Sequence, residues 1–275
     1  MYKSNITAKQ FKLFSNLFPV VKLTKPRTYS NHEILNAILY ILKNGSQWRD
    51  LPKDFLMSWQ LAYYYFRLWV ELDVFILIQE TLRRMFRKKK QRFKSGQQKP
   101  KRHKKYKTGT VCMIDSQATK NTNSGRNKGF CHYKLTNGIK KHILVDSEGI
   151  CICSICTAAN TIDIEGLKLL ITQHKELLLK LDFERILADL GYNSKELDKF
   201  LFDELNLVMN LATRNTETKE KTKGFKVQPL RWKSERQFSW CDGCRRLWKN
   251  CERLLDTAEN WIYLANIRIL AKRMA

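Results

Sequence analysis

The chain has 275 residues, 43% of them hydrophobic, and a formal net charge of +25. This length suits one large domain or two smaller ones, and the apolar fraction is sufficient for a packed core, which excludes a disordered polycation. The excess of 51 basic over 26 acidic residues indicates a polyanionic partner, with nucleic acid favoured over an anionic membrane surface. No stretch reaches the roughly 20 apolar residues of a spanning helix, and no secretory signal opens the chain. We therefore expect a cytoplasmic protein whose eight cysteines are reduced.

The first 82 residues carry helical patterns. Ser30 and Glu33 have the spacing of a capping box, and Asn44-Gly45 ends the apolar periodicity that follows. A second, aromatic-rich helix is predicted to begin near Ser58, with Arg67, a candidate DNA contact, on a different face from its apolar side chains. Residues 1–82 are thus predicted to form a small all-helical domain that reads DNA by a helix-turn-helix arrangement. An ordinary helical bundle would give the same pattern.

Residues 83–107 form a strongly basic segment that contains Gly96 and Pro100. Most charge runs are solvated linkers, but a run of one sign also allows phosphates to displace counterions. We predict both properties here, a linker that also contacts the DNA backbone. Its candidate DNA contacts are Lys88, Lys89, Lys90, Arg102, Lys104 and Lys105.

From residue 108 to 275 the pattern becomes that of an α/β domain. Short apolar runs predict strands at residues 111–115, 142–146, 150–156, 183–188 and 207–211. Helices are predicted at residues 164–179, 196–205 and from about 232 to the end. Ser147-Glu-Gly149 predicts a hairpin turn between the second and third strands. Three strands, helix, strand, helix, strand, helix is the order of a ribonuclease H-like fold, a mixed sheet with flanking helices.

Two acids stand at predicted strand ends, where α/β proteins bind their ligands. Asp115 closes the first strand and Asp189 closes the fourth. Aspartate is a poor strand residue, and its carboxylate is a preferred ligand of Mg²⁺. Two-metal phosphoryl transfer needs converging acids, and Glu235 near the start of the last helical region is a candidate third. Asp146 and Asp163 are candidates as well, although a turn and a helix cap explain them equally well.

The chain resembles the insertion sequence five family of DDE transposases at these residues. The similarity rests on Met113-Ile-Asp115-Ser-Gln, Lys141-His-Ile-Leu-Val-Asp146, Ala158-Ala-Asn, Ala188-Asp-Leu-Gly-Tyr192 and Arg231-Trp-Lys-Ser-Glu235-Arg-Gln-Phe. Trp48-Arg-Asp-Leu-Pro52, Tyr63-Tyr-Tyr-Phe-Arg67 and Tyr263-Leu-Ala-Asn-Ile-Arg268 extend it over nearly the whole chain. The resemblance implies a ribonuclease H-like catalytic domain with the triad Asp115, Asp189 and Glu235.

The same resemblance implies Mg²⁺, with Mn²⁺ as a substitute, and DNA as partner, both as inverted-repeat ends and as target. It further implies a homo-oligomer during transposition and association with the bacterial nucleoid. Lys140, Lys141, Arg231 and Arg236 complete the candidate DNA contacts. Two positions depart from the usual motifs, because Leu190 and Asp242 stand where lysines are common, and Gln228 replaces a tyrosine of the wider superfamily.

The remaining motifs have structural explanations. Cys241 and Cys244 have a zinc-like spacing, but burial of small apolar side chains explains them and the cysteines at 151, 153 and 156 equally. His132 and His142 flank a basic stretch and suit phosphate contact or solvation. Two rival functions remain at this point: a tyrosine recombinase, which would need no metal, and a catalytically inactive DNA-binding relic of a transposase.

Overall fold

The computed structural model describes residues 2–20, 28–95, 110–123, 125–211 and 232–274. The α-helices in chain order are α1 (Ala8–Lys12), α2 (Asn31–Asn44), α3 (Trp59–Glu71), α4 (Val74–Ser95), α5 (Asp163–Leu179), α6 (Lys195–Leu205), α7 (Trp232–Asp242) and α8 (Leu255–Met274). The strands are β1 (Val111–Lys120), β2 (Gly129–Cys131), β3 (Thr136–Asp146), β4 (Cys151–Ala158), β5 (Arg185–Ala188) and β6 (Val208–Leu211). The chain divides into two compact units, one made of residues 1–100, 122–126 and 240–275, the other of 101–121 and 127–239.

The helix signals of the N-terminal region are confirmed. The Ser30 hydroxyl accepts the amide of Glu33 while the Glu33 carboxylate accepts the amide of Ser30, which closes a capping box at the start of α2. Gly45 ends that helix in the left-handed region at φ 71°. Ser58 caps α3 by accepting the amide of Leu61. These local rules act within one turn of helix, so the sequence is enough to place both helices.

The first unit has an aromatic core that includes the last helix of the chain. The rings of Phe66 and Trp261 are stacked with centroids 4.5 Å apart, and Trp48 lies 5.7 Å from Trp261. Helix α8 is buried at every position from Thr257 to Ile267 and packs mainly along α4. A helix buried all round shows no amphipathic stripe, which is why its partner could not be identified from its periodicity.

The predicted boundary between residues 82 and 83 therefore differs from the structure. Helix α4 continues through that point, and Arg83 is buried, donating to both carboxylate oxygens of Glu80 at 2.8 and 3.0 Å. The C-terminal helix, predicted as part of the catalytic domain, belongs to the first unit. Charge composition alone cannot separate a solvated run from a helix whose cations are partly paired.

Within the described residues, no helix is long and apolar enough to cross a membrane.

The sheet of the second unit has the strand order β4-β3-β1-β5-β6. The short strand β2 pairs with the first residues of β3, Thr136 to Gly138, which precede the part of β3 that pairs with β4. β3 is antiparallel to β1 and to β4, whereas β5 is parallel to β1 and β6 is parallel to β5. Three antiparallel strands followed by two parallel crossover strands, with helices on the sheet, are the architecture of the ribonuclease H-like fold. The predicted fold class is confirmed, and the hairpin predicted at Ser147-Glu-Gly149 joins β3 to β4.

Helix α5 packs against the sheet through a core of aliphatic side chains from β1, β3, β4, α5 and α6. The contact is closest at Gly166, where an added methyl carbon would lie 2.0 Å from Cε1 of His142 on β3. His142 is fully buried and shares a 3.0 Å hydrogen bond with the Thr157 hydroxyl. Burial lowers the pKa of the His142 imidazole to about 4, so the ring is neutral near pH 7. The burial of His142 argues against the phosphate contact that the sequence suggested for it.

Gly166→Ala is expected to destabilise the protein, although alanine is the better helix former by about 1 kcal/mol. Overpacking against the His142 ring costs about 1–3 kcal/mol, so the net loss is about 1 kcal/mol or more. Urea unfolding measures the change, with Leu169→Ala on the exposed side of α5 as the control, expected within about 0.5 kcal/mol of wild type. A gain in stability for Gly166→Ala would contradict the close packing.

Candidate active site

Asp115 on β1 and Asp189, the residue directly after β5, are level in the register of two neighbouring parallel strands. The last paired residues are Met113 on β1 and Leu187 on β5, so two residues further along each strand Asp115 is level with Asp189. Adjacent strands are about 4.8 Å apart. The sequence predicted that β1 ends at Asp115, but β1 continues to Lys120 with β3 as its partner. What ends near Asp115 is the pairing with β5, whose last paired residue is Leu187.

Backbone amides orient both carboxylates. Oδ1 of Asp115 accepts the amide of Ser116 at 2.8 Å, and Oδ1 of Asp189 accepts the amide of Gly191 at 2.9 Å. Asp189 thereby caps the short 3₁₀ turn Leu190–Tyr192. Asp189 can cap this turn with one carboxylate oxygen and hold a metal ion with the other. The structural and the functional explanation of this aspartate are therefore compatible.

Tyr192 connects this pair with a third carboxylate. Its side chain is 1% exposed, and its hydroxyl makes no well-formed hydrogen bond to the described residues, although Ser116 is near enough to lower its pKa slightly. Burial raises the pKa of the hydroxyl well above its ordinary value, and the negative charges of Asp163, Asp115 and Asp189 raise it further. Three carboxylates therefore act electrostatically on one buried, neutral phenol.

Asp163 has a different local role from the helix cap that the sequence suggested. It is the first residue of α5, and the N-cap position is Ile162, whose side chain makes no capping bond. Oδ1 of Asp163 accepts the Ser116 hydroxyl at 2.8 Å and the Lys140 ammonium at 3.0 Å. Lys140 also donates to the carbonyl of Thr161 at 2.6 Å. The positive end of the α5 dipole favours a carboxylate here, so Asp163 joins the residue after Asp115 to β3 and α5.

The two lysines of β3 occupy opposite faces of the sheet, because side chains alternate along a strand. Lys140 pairs with Ala118 and lies on the face of Ser116, whereas Lys141 pairs with Gln117 and lies on the face of Asp115. Both were candidate DNA contacts. The ammonium of Lys140 is held by Asp163 and Thr161, and Lys141 is 2% exposed. Direct phosphate contact by either stays a prediction, and their burial argues against it.

Glu235 is exposed on the first turns of α7. Its neighbours attach this helix to the β3–β4 turn: Lys233 donates to the carbonyl of Ser147, and Arg236 donates to the carbonyl of Glu148 at 2.6 Å. The guanidinium of Arg236 also lies 4.6 Å from the Trp232 ring. Among the described residues, no three His, Cys, Asp or Glu side chains are close enough to hold one metal ion. The structure thus brings Asp115 and Asp189 together but does not bring Glu235 into the same group.

The other candidate DNA contacts fall into three classes. Arg67 is held within the first unit, donating to the Thr257 hydroxyl at 2.7 Å and pairing with Asp256 at 3.5 Å. Lys88 is exposed on α4, while Lys89 donates to the carbonyls of Arg273 and Met274. The Lys90 ammonium lies over the Phe86 ring. Arg102, Lys104, Lys105 and Arg231 lie outside the described residues, as does Gln228.

Sequence reasoning missed Ser116 and Tyr192 as members of the site. Both belong to quoted motifs, Ser116 directly after Asp115 and Tyr192 at the end of Ala188-Asp-Leu-Gly-Tyr. The signal in the sequence was the tyrosine that ends the Ala188-Asp-Leu-Gly-Tyr192 motif, whose other residues are explained by a candidate metal ligand and a turn. Asp146, in contrast, proves to be the turn residue that the sequence allowed, since its carboxylate accepts the amides of Glu148 and Ile150.

We expect the losses of unfolding free energy caused by Asp163→Asn and by Lys140→Met to be strongly coupled. Each single change leaves a charged partner in a largely buried setting, which costs on the order of 2–4 kcal/mol, less than a fully buried pair because Asp163 is partly exposed. In the double variant neither charge remains, so its loss of unfolding free energy should be smaller than the sum of the single losses by more than 1 kcal/mol. Urea denaturation measures the cycle. The Lys175–Glu204 ion pair on the surface provides a matched control cycle, expected below 1 kcal/mol.

Comparison with known proteins identifies the family of the chain. A family model described as "Transposase DDE domain" matches residues 106–270, and one described as "Putative transposase of IS4/5 family" matches residues 6–78. A comparison with curated proteins finds no match. The chain is similar to a chain in "Cryo-EM structure of piggyBac transposase synaptic complex with hairpin DNA", with 15% sequence identity and a TM-score of 0.38. The match covers 62% of this chain and 48% of that one, so this chain spans about half the length of that chain. Because the first model covers more than half of the chain, the protein belongs to the transposases with a DDE domain, as its motifs predicted.

Proposed function

We propose that this protein is an insertion-sequence transposase that binds terminal inverted repeats, cleaves DNA at their ends and transfers the strands to a target. The observation that carries the proposal is the level placement of Asp115 and Asp189 where the β1–β5 pairing ends. Two carboxylates that are level where the pairing of neighbouring parallel strands ends would suit a shared cation. The family membership supports the reaction class.

The chemistry of the donor set fits Mg²⁺, with Mn²⁺ as a substitute. Carboxylate oxygens are the ligands that hard divalent cations select, and three carboxylates around the Tyr192 hydroxyl concentrate negative charge that a cation would neutralise. Asp115, Asp189 and Glu235 would hold the metal. When bound, such ions lower the pKa of the attacking water or 3′-hydroxyl and neutralise charge on the phosphate.

The protein's own residues would position this chemistry. Asp115 and Asp189 have one oxygen each fixed by a backbone amide, so their orientation is set before DNA binds. Asp163 and Lys140 fix the Ser116 segment from the opposite side of the strand. Glu235 would join the pair in the complex with DNA, since it is exposed at a helix end tied to the β3–β4 turn. That movement is part of the proposal.

DNA would be the partner of the strongly positive chain. In the proposal the helical N-terminal region reads the repeat through α3, and the basic end of α4 with the segment after it contacts phosphates. Two ends must be held together for joining, so a homo-oligomer is proposed for the reaction. A tyrosine nucleophile at the site is disfavoured because Tyr192 is buried and its pKa is raised. The inactive-relic alternative is decided by cleavage itself.

Asp115→Asn, Asp189→Asn and Glu235→Gln are each expected to reduce Mg²⁺-dependent cleavage of DNA carrying the element's ends by at least 100-fold, because each removes a charge that holds metal. DNA affinity should change less than threefold. Labelled-strand cleavage and fluorescence anisotropy measure the two effects. Asp203→Asn and Glu184→Gln, at exposed positions of the second unit, are matched controls. Near wild-type cleavage by any of the three would remove that residue from the triad, and no cleavage by the wild type would favour the relic.

Lys88→Ala is expected to weaken binding to duplex DNA and to reduce the slope of log affinity against log salt by about 0.9, the value for one lost phosphate contact. Lys88 is exposed on the basic end of α4. Lys199→Ala is the control, since Lys199 is exposed on α6 beside acidic side chains such as Asp198 and Asp203. Anisotropy titrations from 50 to 200 mM salt measure both slopes. Equal slopes for wild type and Lys88→Ala would place the phosphate contacts elsewhere.

A further inference from the structure

A short turn of the second unit exposes large apolar side chains that its core does not use. We call it the hairpin tip: β2, the 3₁₀ turn His132–Lys134 and Leu135. Tyr133 is 98% exposed, Leu135 is 80% exposed and Phe130 is 43% exposed. Single exposed apolar residues are ordinary, but a group of them at one tip marks an interaction site.

The charge of this region indicates what the tip contacts. Lys128 and Lys134 flank the aromatic residues, and no acidic residue occurs in the sequence from Ser116 to Val145. Neutral aromatic rings among cations, without any anion, are the composition of surfaces that bind nucleic acid by stacking and phosphate contact. A second copy of the same tip would be a poor partner, because a symmetric contact would bring equal positive charges together.

The backbone holds the tip in a defined conformation. A methyl carbon at Gly129 would lie 1.9 Å from Oδ1 of Asn160, so β2 approaches that side chain closely. The Thr136 hydroxyl donates to the carbonyl of Lys134 at 2.9 Å. Leu135 has φ 46°, a left-handed conformation that costs a non-glycine residue energy and is often found at functional sites. An aromatic side chain on a fixed turn loses little entropy on binding.

The tip is linked to the candidate active site through β3, which pairs with β1 and with β2. Asp115 pairs with Ile143, and β3 then runs back past Gly138, the partner of Lys120, to Thr136 at the tip. Those seven residues span about 23 Å at roughly 3.3 Å each. A duplex advances 3.4 Å per base pair, so DNA lying along the hairpin would reach the tip on the order of seven base pairs from the reacting phosphate.

We propose that the hairpin tip is a DNA-binding element in which Tyr133 stacks on an unpaired or distorted base and Lys128 and Lys134 contact the adjoining phosphates. This inference rests on the proposed function, since it takes the DNA to be the transposase's substrate. The partner is DNA rather than protein, and the recognised feature is the face of a base, which every sequence offers.

The test uses the full chain and two fluorescein-labelled 30-base-pair duplexes without Mg²⁺, one blunt and one with an eight-nucleotide 3′ overhang carrying 2-aminopurine at successive positions. Tyr133→Ala should weaken binding of the overhang duplex about 5- to 150-fold, the range for one lost base–aromatic stack, and should abolish quenching of 2-aminopurine. Tyr133→Phe should retain both. Lys134→Ala should reduce the salt slope by about 0.7–0.9, whereas Tyr133→Ala should leave it unchanged, since it removes no charge.

Phe202→Ala, at another exposed aromatic residue but on α6, is the matched control and should bind the overhang duplex as the wild type does. Wild-type affinity and quenching in Tyr133→Ala would overturn the proposal. A shift of Tyr133→Ala to a smaller oligomer in sedimentation, with unchanged DNA affinity, would overturn it in favour of a self-interface. The proposed function fails separately, by absence of Mg²⁺-dependent cleavage in the wild type, and that result leaves the binding comparison valid. Absence of all DNA binding by the wild type would overturn both.

Discussion

The parallel pairing of β1 with β5 is the constraint on which the candidate site depends. It is short, from Val111 to Met113, and it fixes the register that sets Asp115 level with Asp189. A slip by one residue would turn one of the two carboxylates to the other face, because side chains alternate along a strand. The aliphatic core beneath β1, β5 and α5 penalises such a slip. Packing of ordinary apolar side chains therefore determines the geometry of the two acids.

The polar side chains under the N-terminus of α5 have a different purpose from the core. Asp163, Lys140 and Ser116 form a hydrogen-bonded group in a largely buried place, where apolar residues of the same volume would often be as stable. Such a group contributes direction rather than much net stability: it fixes the segment that follows Asp115. A neutral His142 beside it lets α5 approach closely at Gly166 without adding another buried charge.

The sequence was sufficient for features that depend on near neighbours. The capping box at Ser30, the cap at Ser58, the turn at Gly149 and the order of the main strands and helices along the chain all follow local patterns. It was insufficient where contacts are distant. Helix α8 has no apolar stripe to indicate its partner. The extension of β1 to Lys120 contains Ala118 as its one apolar residue, too little to predict a strand, and only β3 pairs with it. The placement of Glu235 likewise depends on contacts that no spacing reveals.

The net positive charge of the chain contrasts with the negative charge of its candidate site. The chain as a whole is strongly positive and would attract the DNA backbone, yet Asp115, Asp163 and Asp189 all act electrostatically on Tyr192 in its candidate site. Lys140 offsets Asp163 on one side of the strand. The charge of the Asp115–Asp189 pair would still repel a phosphate at close range, where screening by salt is weak. Divalent cations between the acids and the phosphate would turn that repulsion into attraction, so metal and DNA should bind this site cooperatively, each lowering the electrostatic cost of the other.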